Sequence, residues 1–102
     1  MTFQCIDLED CKKMMEEKEV TVVDVRDPQS YQSGHLLNAQ LVNNANVQEF
    51  LDNVDKQRPL IVYCYHGNTS QGAAELFSSQ GIADVYSLTG GYAAWSAKYK
   101  DA

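Results

Sequence analysis

The chain is poor in positive charge. Eight Lys and Arg stand against fourteen Asp and Glu in 102 residues, a formal net charge of -6, and the eight are scattered rather than clustered. Nucleic acid is therefore a poor partner, because neutralising phosphates requires a basic patch. An acidic surface favours solubility and weakly repels small anions, so an anionic substrate needs local compensation. Paired cysteines are also lacking. Cys5, Cys11 and Cys64 are odd in number and form no CxxC, which argues against a disulfide framework. Only two histidines occur, His35 and His66, far apart in sequence, so a zinc site has little support. Met1–Asp7 contains no basic segment followed by an apolar run, the mark of a leader peptide. No apolar run approaches the roughly 20 residues a membrane helix needs. These absences predict a soluble, cytoplasmic protein with no membrane partner. The length suits one domain, residues 1–102, with no room for a second catalytic unit. Such a chain buries roughly two-thirds of its unfolded surface, enough for a core without disulfides or a structural metal.

What is present alternates between two periods. Val20–Val25, Leu60–Tyr63 and Asp84–Leu88 are short, β-branched or apolar runs of the kind that fills strands buried on both faces of a parallel sheet. Cys5-Ile6 and Gln40–Val42 are weaker strand candidates. Helical stripes lie between them. Leu8, Cys11, Met14 and Met15 share a face after Asp7 as a cap. Val47, Phe50, Leu51 and Val54 follow Asn46, with Glu49 placed to complete a capping box. Ala73, Leu76 and Phe77 form a third stripe beginning near Thr69, which Gly81 is placed to end. Tyr92, Trp95 and Tyr99 predict a short last helix. This order predicts an α/β fold with a mainly parallel sheet, and in such sheets the active site lies beyond the carboxyl ends of the strands.

The segment Leu60–Ser70 concentrates the chemistry. An apolar strand ends at Cys64, a short loop with Gly67 follows, and a helix begins. Successive N–H groups of such a loop can converge as an anion-binding nest, and the helix N-terminus adds partial positive charge. A free cysteine, with a pKa of about 8.5, is only about 3% ionised at pH 7. A helix N-terminus can bring it to about 7 or lower, making thiolate a major species. Cys64 is thus a candidate nucleophile; the competing reading is a buried structural thiol.

The loop Cys64-Tyr65-His66-Gly67-Asn68-Thr69 resembles the six-residue active-site loop of the rhodanese family. Val23–Pro28, with Tyr31, Gly34 and His35, is similar to one family signature, and Gly90-Gly91-Tyr92 with Trp95 to another. The three occur in order and span essentially the whole chain. The resemblance implies a rhodanese-like α/β fold: a five-stranded, mainly parallel sheet flanked by helices on both faces. It also implies a two-step covalent reaction. Cys64 takes the outer sulfur of thiosulfate, sulfite leaves, and the persulfide gives its sulfur to cyanide or to a reduced dithiol such as thioredoxin. Tyr65, His66, Gly67, Asn68 and Thr69 would bind the substrate through their backbone amides, with no metal or organic cofactor. Two departures from family patterns stand out. Tyr65 and His66 occupy places where many rhodaneses carry Arg or Lys, leaving little fixed charge to attract thiosulfate. Leu37-Asn38 replaces a usual Pro-Gly.

Other polar residues have both bland and chemical readings. His66 is a candidate to bind the sulfonate group when protonated, or simply an exposed loop residue. His35 reads as a turn-holding hydrogen-bond partner. Asp24, Arg26 and Asp27 end a buried strand, where charges need partners, so an ion-pair role is expected ahead of catalysis. Thr69 and Ser70 are expected to cap the following helix and to donate to a bound anion. Gly90-Gly91 is expected to allow a tight loop near the site. Trp95, Tyr92 and Tyr99 read as a core face, and Cys5 and Cys11 as packing residues. A cysteine phosphatase or arsenate reductase is the rival enzyme. Phosphatases place Arg six residues after the cysteine, where this chain has Ser70, so the bidentate guanidinium suited to phosphoryl oxygens is lacking. A non-catalytic binding module or a small sulfur carrier is the rival of another class.

Overall fold

The computed structural model describes residues 3–99. Met1 and Thr2, part of the segment read above for a leader, and the last three residues of the expected 1–102 domain lie outside them. Ten elements alternate along the chain: β1 (Gln4–Ile6), α1 (Leu8–Glu17), β2 (Thr21–Asp24), α2 (Pro28–Ser33), β3 (Gln40–Leu41), α3 (Val47–Asn53), β4 (Leu60–Tyr63), α4 (Thr69–Ser79), β5 (Val85–Leu88) and α5 (Gly91–Lys98). The strands form one sheet in the order β1-β5-β4-β2-β3, and every pairing is parallel. The expected mainly parallel five-stranded α/β sheet is therefore present, and wholly parallel.

The continuous apolar runs have the meaning expected of them. All four residues of β4 are buried, because this central strand is covered on both faces. Leu60 and Val62 join Phe50, Leu51, Ala74 and Phe77 in a core beneath α3 and α4. Ile61 and Tyr63 join Cys11, Leu36 and Trp95 in a second core on the opposite face, with Leu8, Met14, Tyr31, Tyr92 and Tyr99 packed against it.

Two local readings need correction, and one helix lacks a periodic signal. The capping box at α3 does not form. Asn46 uses its Oδ1 to accept from the Asn43 N–H and its Nδ2 to donate to the Leu41 carbonyl, so its side chain closes the preceding turn. The buried face of α4 is Ser70, Ala74, Phe77 and Ser78, while Leu76 is exposed. Of the apolar stripe Ala73, Leu76 and Phe77, only Phe77 lies on the buried face, and the small residues Ser70, Ala74 and Ser78 make up the rest of it. Finally, α2 has no apolar stripe to announce it. It is set instead by Asp27, whose carboxylate accepts from the Ser30 N–H and hydroxyl, and by Pro28 in the first turn. By contrast, α4 ends at Gly81 as expected, the Gly81 and Ile82 N–H groups bonding back to the Ser78 and Phe77 carbonyls.

This topology leaves the carboxyl end of β4 between those of β2 and β5, with the N-terminus of α4 directly after it. Cys64 occupies that position.

Candidate active site

Cys64 follows β4 and is only 6% exposed. Its Sγ accepts the Gly67 N–H at 3.1 Å and lies 3.4 Å from the Ser70 Oγ. Gly67 is needed for this approach. It has φ +95°, and a Cβ there would lie 2.9 Å from the Gly90 nitrogen and 3.2 Å from the Leu88 carbonyl. Only a residue without a side chain lets the loop fold against the end of β5.

The electrostatic outcome is a balance. Burial pushes the thiol up. The Ser70 hydroxyl, followed by the backbone N–H groups of Ser70, Gly67 and His66, outweighs it and brings Cys64 below the ordinary thiol value. All these donors are neutral. The contrast with Cys11 is instructive: it too is buried, has no such cradle, and is pushed up to about 12, first by burial and then by the charge of Asp7. Cys5 is exposed on the edge strand.

The loop is held from behind by α5. The Tyr92 N–H donates to the Cys64 carbonyl at 2.8 Å and the Ala93 N–H to the Tyr65 carbonyl at 2.9 Å. The two carbonyls are thereby taken up by the free N–H groups of a helix start, while amides on the same loop serve the sulfur. Gly91 makes the contact possible: a Cβ at its position would lie 2.5 Å from the Cys64 oxygen and 2.6 Å from the Tyr65 oxygen. From the other side, the Gln71 Nε2 donates to the Gly67 carbonyl.

The remaining expected site residues divide. Tyr65 and His66 are exposed and stack on one another, ring centroids 4.8 Å apart. Asn68 and Thr69 are exposed at the start of α4. Asn68 is the N-cap residue without a capping side-chain bond, so the expected capping by Thr69 and Ser70 is not what is seen. Ser70 is fully buried and faces the sulfur and the Ser87 hydroxyl, 2.8 Å away, instead of the open side where an anion would arrive.

Asp24 and Arg26 form the expected ion pair. The guanidinium grips the buried carboxylate through Nε and Nη2 and also donates to the Gly34 carbonyl. The Tyr63 hydroxyl donates to Asp24 at 2.7 Å and accepts the Leu36 N–H. Arg26 then lies 4.1 Å from the centroid of the Tyr92 ring, tying this network to the start of α5. His35 bonds the Tyr31 carbonyl through Nδ1 and stacks on the Tyr31 ring, the turn-holding role expected of it. A cleft of about 490 Å³ opens between Tyr65, Tyr92 and the Arg26–Ser33 segment.

Two features were not foreseen. Ser87 carries a weak signal, a small polar residue in the run Val85–Leu88. The carbonyl clamp by α5 carries none, since backbone bonds leave no trace in side-chain identity.

A thiolate-stabilising loop at the carboxyl end of a central parallel strand, closed by a Gly-Gly helix start, defines a class. The chain belongs to the rhodanese-like domain family, whose description matches residues 7–98. Its relatives include the thiosulfate sulfurtransferase GlpE of Pseudoalteromonas translucida, 40% identical over 101 residues, covering 99% of this chain and 96% of that protein. The thiosulfate sulfurtransferase GlpE of Pseudomonas paraeruginosa is 46% identical over 98 residues, covering 96% and 88%. Among solved structures, a rhodanese-related protein from Thermoplasma volcanium matches with a TM-score of 0.81 at 26% identity, covering 95% of this chain and 94% of that one. A rhodanese-like domain from Anabaena matches with a TM-score of 0.83 at 31% identity, covering 97% and 76%.

Proposed function

We propose that this chain is a thiosulfate sulfurtransferase that moves sulfane sulfur through a persulfide on Cys64. The observation that carries the proposal is the Cys64 cradle: a nearly buried sulfur held below its ordinary pKa by neutral donors. Relatives bearing the name thiosulfate sulfurtransferase at 40% and 46% identity support it.

In the first half-reaction the Cys64 thiolate attacks the outer sulfur of thiosulfate. A bond forms between the two sulfurs, the bond to the sulfonate sulfur breaks, and sulfite departs with that electron pair. In the second, cyanide or the thiolate of a reduced dithiol attacks the outer sulfur of the persulfide. The Cys64 thiolate is then the leaving group, so the donors that favour it assist this step as well. Amides of residues 65–69 hold the transferred sulfur and the sulfonate oxygens, and the cleft beside Tyr65 and Tyr92 is the acceptor's approach. We read the chain as a single domain. No helix among the described residues is long and apolar enough to cross a membrane; a cytoplasmic setting, with a thioredoxin-like dithiol as acceptor, belongs to the same proposal.

The test is steady-state turnover of thiosulfate and cyanide by the wild type and by Cys64→Ser, Cys5→Ser and Cys11→Ser. Only Cys64→Ser should lose thiocyanate formation while keeping the folded circular-dichroism spectrum. Comparable turnover in folded Cys64→Ser would overturn the assignment.

A further inference from the structure

A serine hydroxyl lies behind the sulfur, and a second lies behind the first. Ser70 is fully buried in the first turn of α4, its Oγ 3.4 Å from the Cys64 Sγ. Ser87, 1% exposed on β5, places its Oγ 2.8 Å from that of Ser70. β5 is hydrogen-bonded to β4, with Ser87 opposite Val62, so the pair ties the first turn of α4 to the strand beside the one that ends at Cys64. The side chains nearby are mostly apolar: Val62, Ala74, Phe77 and Val85 belong to one core, with the buried Ser78 further along α4. Among the described residues, the bonds of these two hydroxyls are to each other and, for Ser70, to the sulfur. Burying a hydroxyl is costly unless it is hydrogen-bonded, so each depends on the other.

We propose that Ser87 is a positioning residue that polarises Ser70 toward Cys64, the two hydroxyls acting as a directional chain that favours the thiolate at the start and end of each sulfur transfer. When Cys64 is a thiol, its S–H can donate to Ser70. When it is a thiolate, Ser70 must donate to the sulfur. The Ser70 oxygen is then free to accept, and Ser87 is the donor within reach. Both O–H dipoles then point at the negative sulfur, each strengthening the other. No heavy atom moves in this reversal. In the persulfide the negative charge moves to the outer sulfur, away from Ser70, so the chain favours thiolate over persulfide and speeds its departure in the second half-reaction. Among the described residues no charged side chain is hydrogen-bonded to the sulfur: its partners are the Gly67 N–H and the Ser70 hydroxyl, the His66 ring stacks on Tyr65, and the Arg26 guanidinium is bound to Asp24 and Gly34.

This inference rests on Cys64 being the reactive thiol, and its test separates the two. The pH dependence of iodoacetamide alkylation at Cys64 is measured in a Cys5→Ser background, since Cys5 is exposed. Ser70→Ala should raise the midpoint by about one pH unit, roughly a tenfold loss of thiolate at neutral pH. Ser87→Ala should raise it by a smaller but measurable amount. Because Ser87 acts only through Ser70, the double alanine variant should match Ser70→Ala alone instead of summing the two. It also leaves no orphaned hydroxyl, so it guards against a folding defect in either single variant. In single-turnover experiments, Ser87→Ala should slow sulfur release to the acceptor. A Ser87→Ala midpoint equal to the parent's, or additive shifts in the double variant, overturns the chain. Shifts as expected in a protein without thiosulfate turnover would leave the chain standing and sink the proposed function.

Discussion

Cys64 and Cys11 are both buried thiols, and what separates them is the set of donors within reach. Cys11 meets only the Met15 sulfur at 3.8 Å and stays protonated. Cys64 meets amides and a hydroxyl, and ionises more readily than an ordinary thiol. The candidate nucleophile was legible because its signal is local: an apolar strand, a cysteine, a loop with glycine, a helix. The roles of its neighbours were less so. His66 reads in sequence as a group to bind the sulfonate or as an exposed loop residue; its ring stacks on Tyr65, and its backbone N–H is among the donors that lower the Cys64 pKa. His66→Ala should therefore move the alkylation midpoint of Cys64 by well under two pH units, since the amide survives the substitution. Its effect should fall on thiosulfate KM, with kcat less altered. A midpoint returned to that of a free thiol, with kcat collapsed, would make His66 the activating partner and remove the amides from that role.

At the scale of elements, the site is a junction. β4 delivers the cysteine, α4 supplies the hydroxyl and amides, and the start of α5 holds two loop carbonyls. The strands were legible from uninterrupted β-branched and apolar runs, because a central parallel strand must be apolar on both faces. α2 was not, since its six residues bury no side chain and are set by a cap and a proline. The working face of α4 was also misread, because Ser70 and Ser78 are buried where Leu76 is not. The Gly90-Gly91 segment looked like a permissive turn. Its second glycine is better described as the only residue that fits between α5 and the loop carbonyls. Gly91→Ala, at φ +61° with backbone oxygens 2.5 and 2.6 Å from the new Cβ, must push the loop away. Displacing a reacting group by about 1 Å can cost on the order of a hundredfold in rate. Gly91→Ala should accordingly lower kcat/KM by roughly tenfold to a hundredfold, with a lowered Tm. Full activity with an unchanged Tm would show that the clamp is dispensable.

At the scale of the molecule, two buried acids among the described residues are kept neutral. Cys11 is raised to about 12, and the Tyr63 phenol is held well above its usual range by burial and by its bond to Asp24. In the unfolded chain these groups lose their protons near about 8.5 and 10. Above those values the unfolded state binds fewer protons than the folded one, so stability falls as pH rises. Cys64 works in the opposite sense: its depressed pKa contributes stability above the unfolded thiol value, lost as pH falls through the folded one. The net expectation is a Tm that declines between about pH 9 and 11, with the onset delayed in Cys11→Ala. A flat Tm across that range, identical in the two proteins, would contradict the buried neutral thiol. The net charge of -6 is not countered at Cys64 by side-chain charge: the donors that lower its pKa are neutral.

The central claim is that Cys64 carries sulfur between donor and acceptor, and intact mass spectrometry reads this directly. After incubation with thiosulfate and removal of excess donor, the wild-type protein should gain the mass of one sulfur atom, located by peptide mapping to Cys64. Added cyanide should return the original mass and release one equivalent of thiocyanate. Cys64→Ser should gain nothing. A sulfur adduct on Cys5 or Cys11, or full turnover with no adduct at Cys64 at any time, would contradict the account.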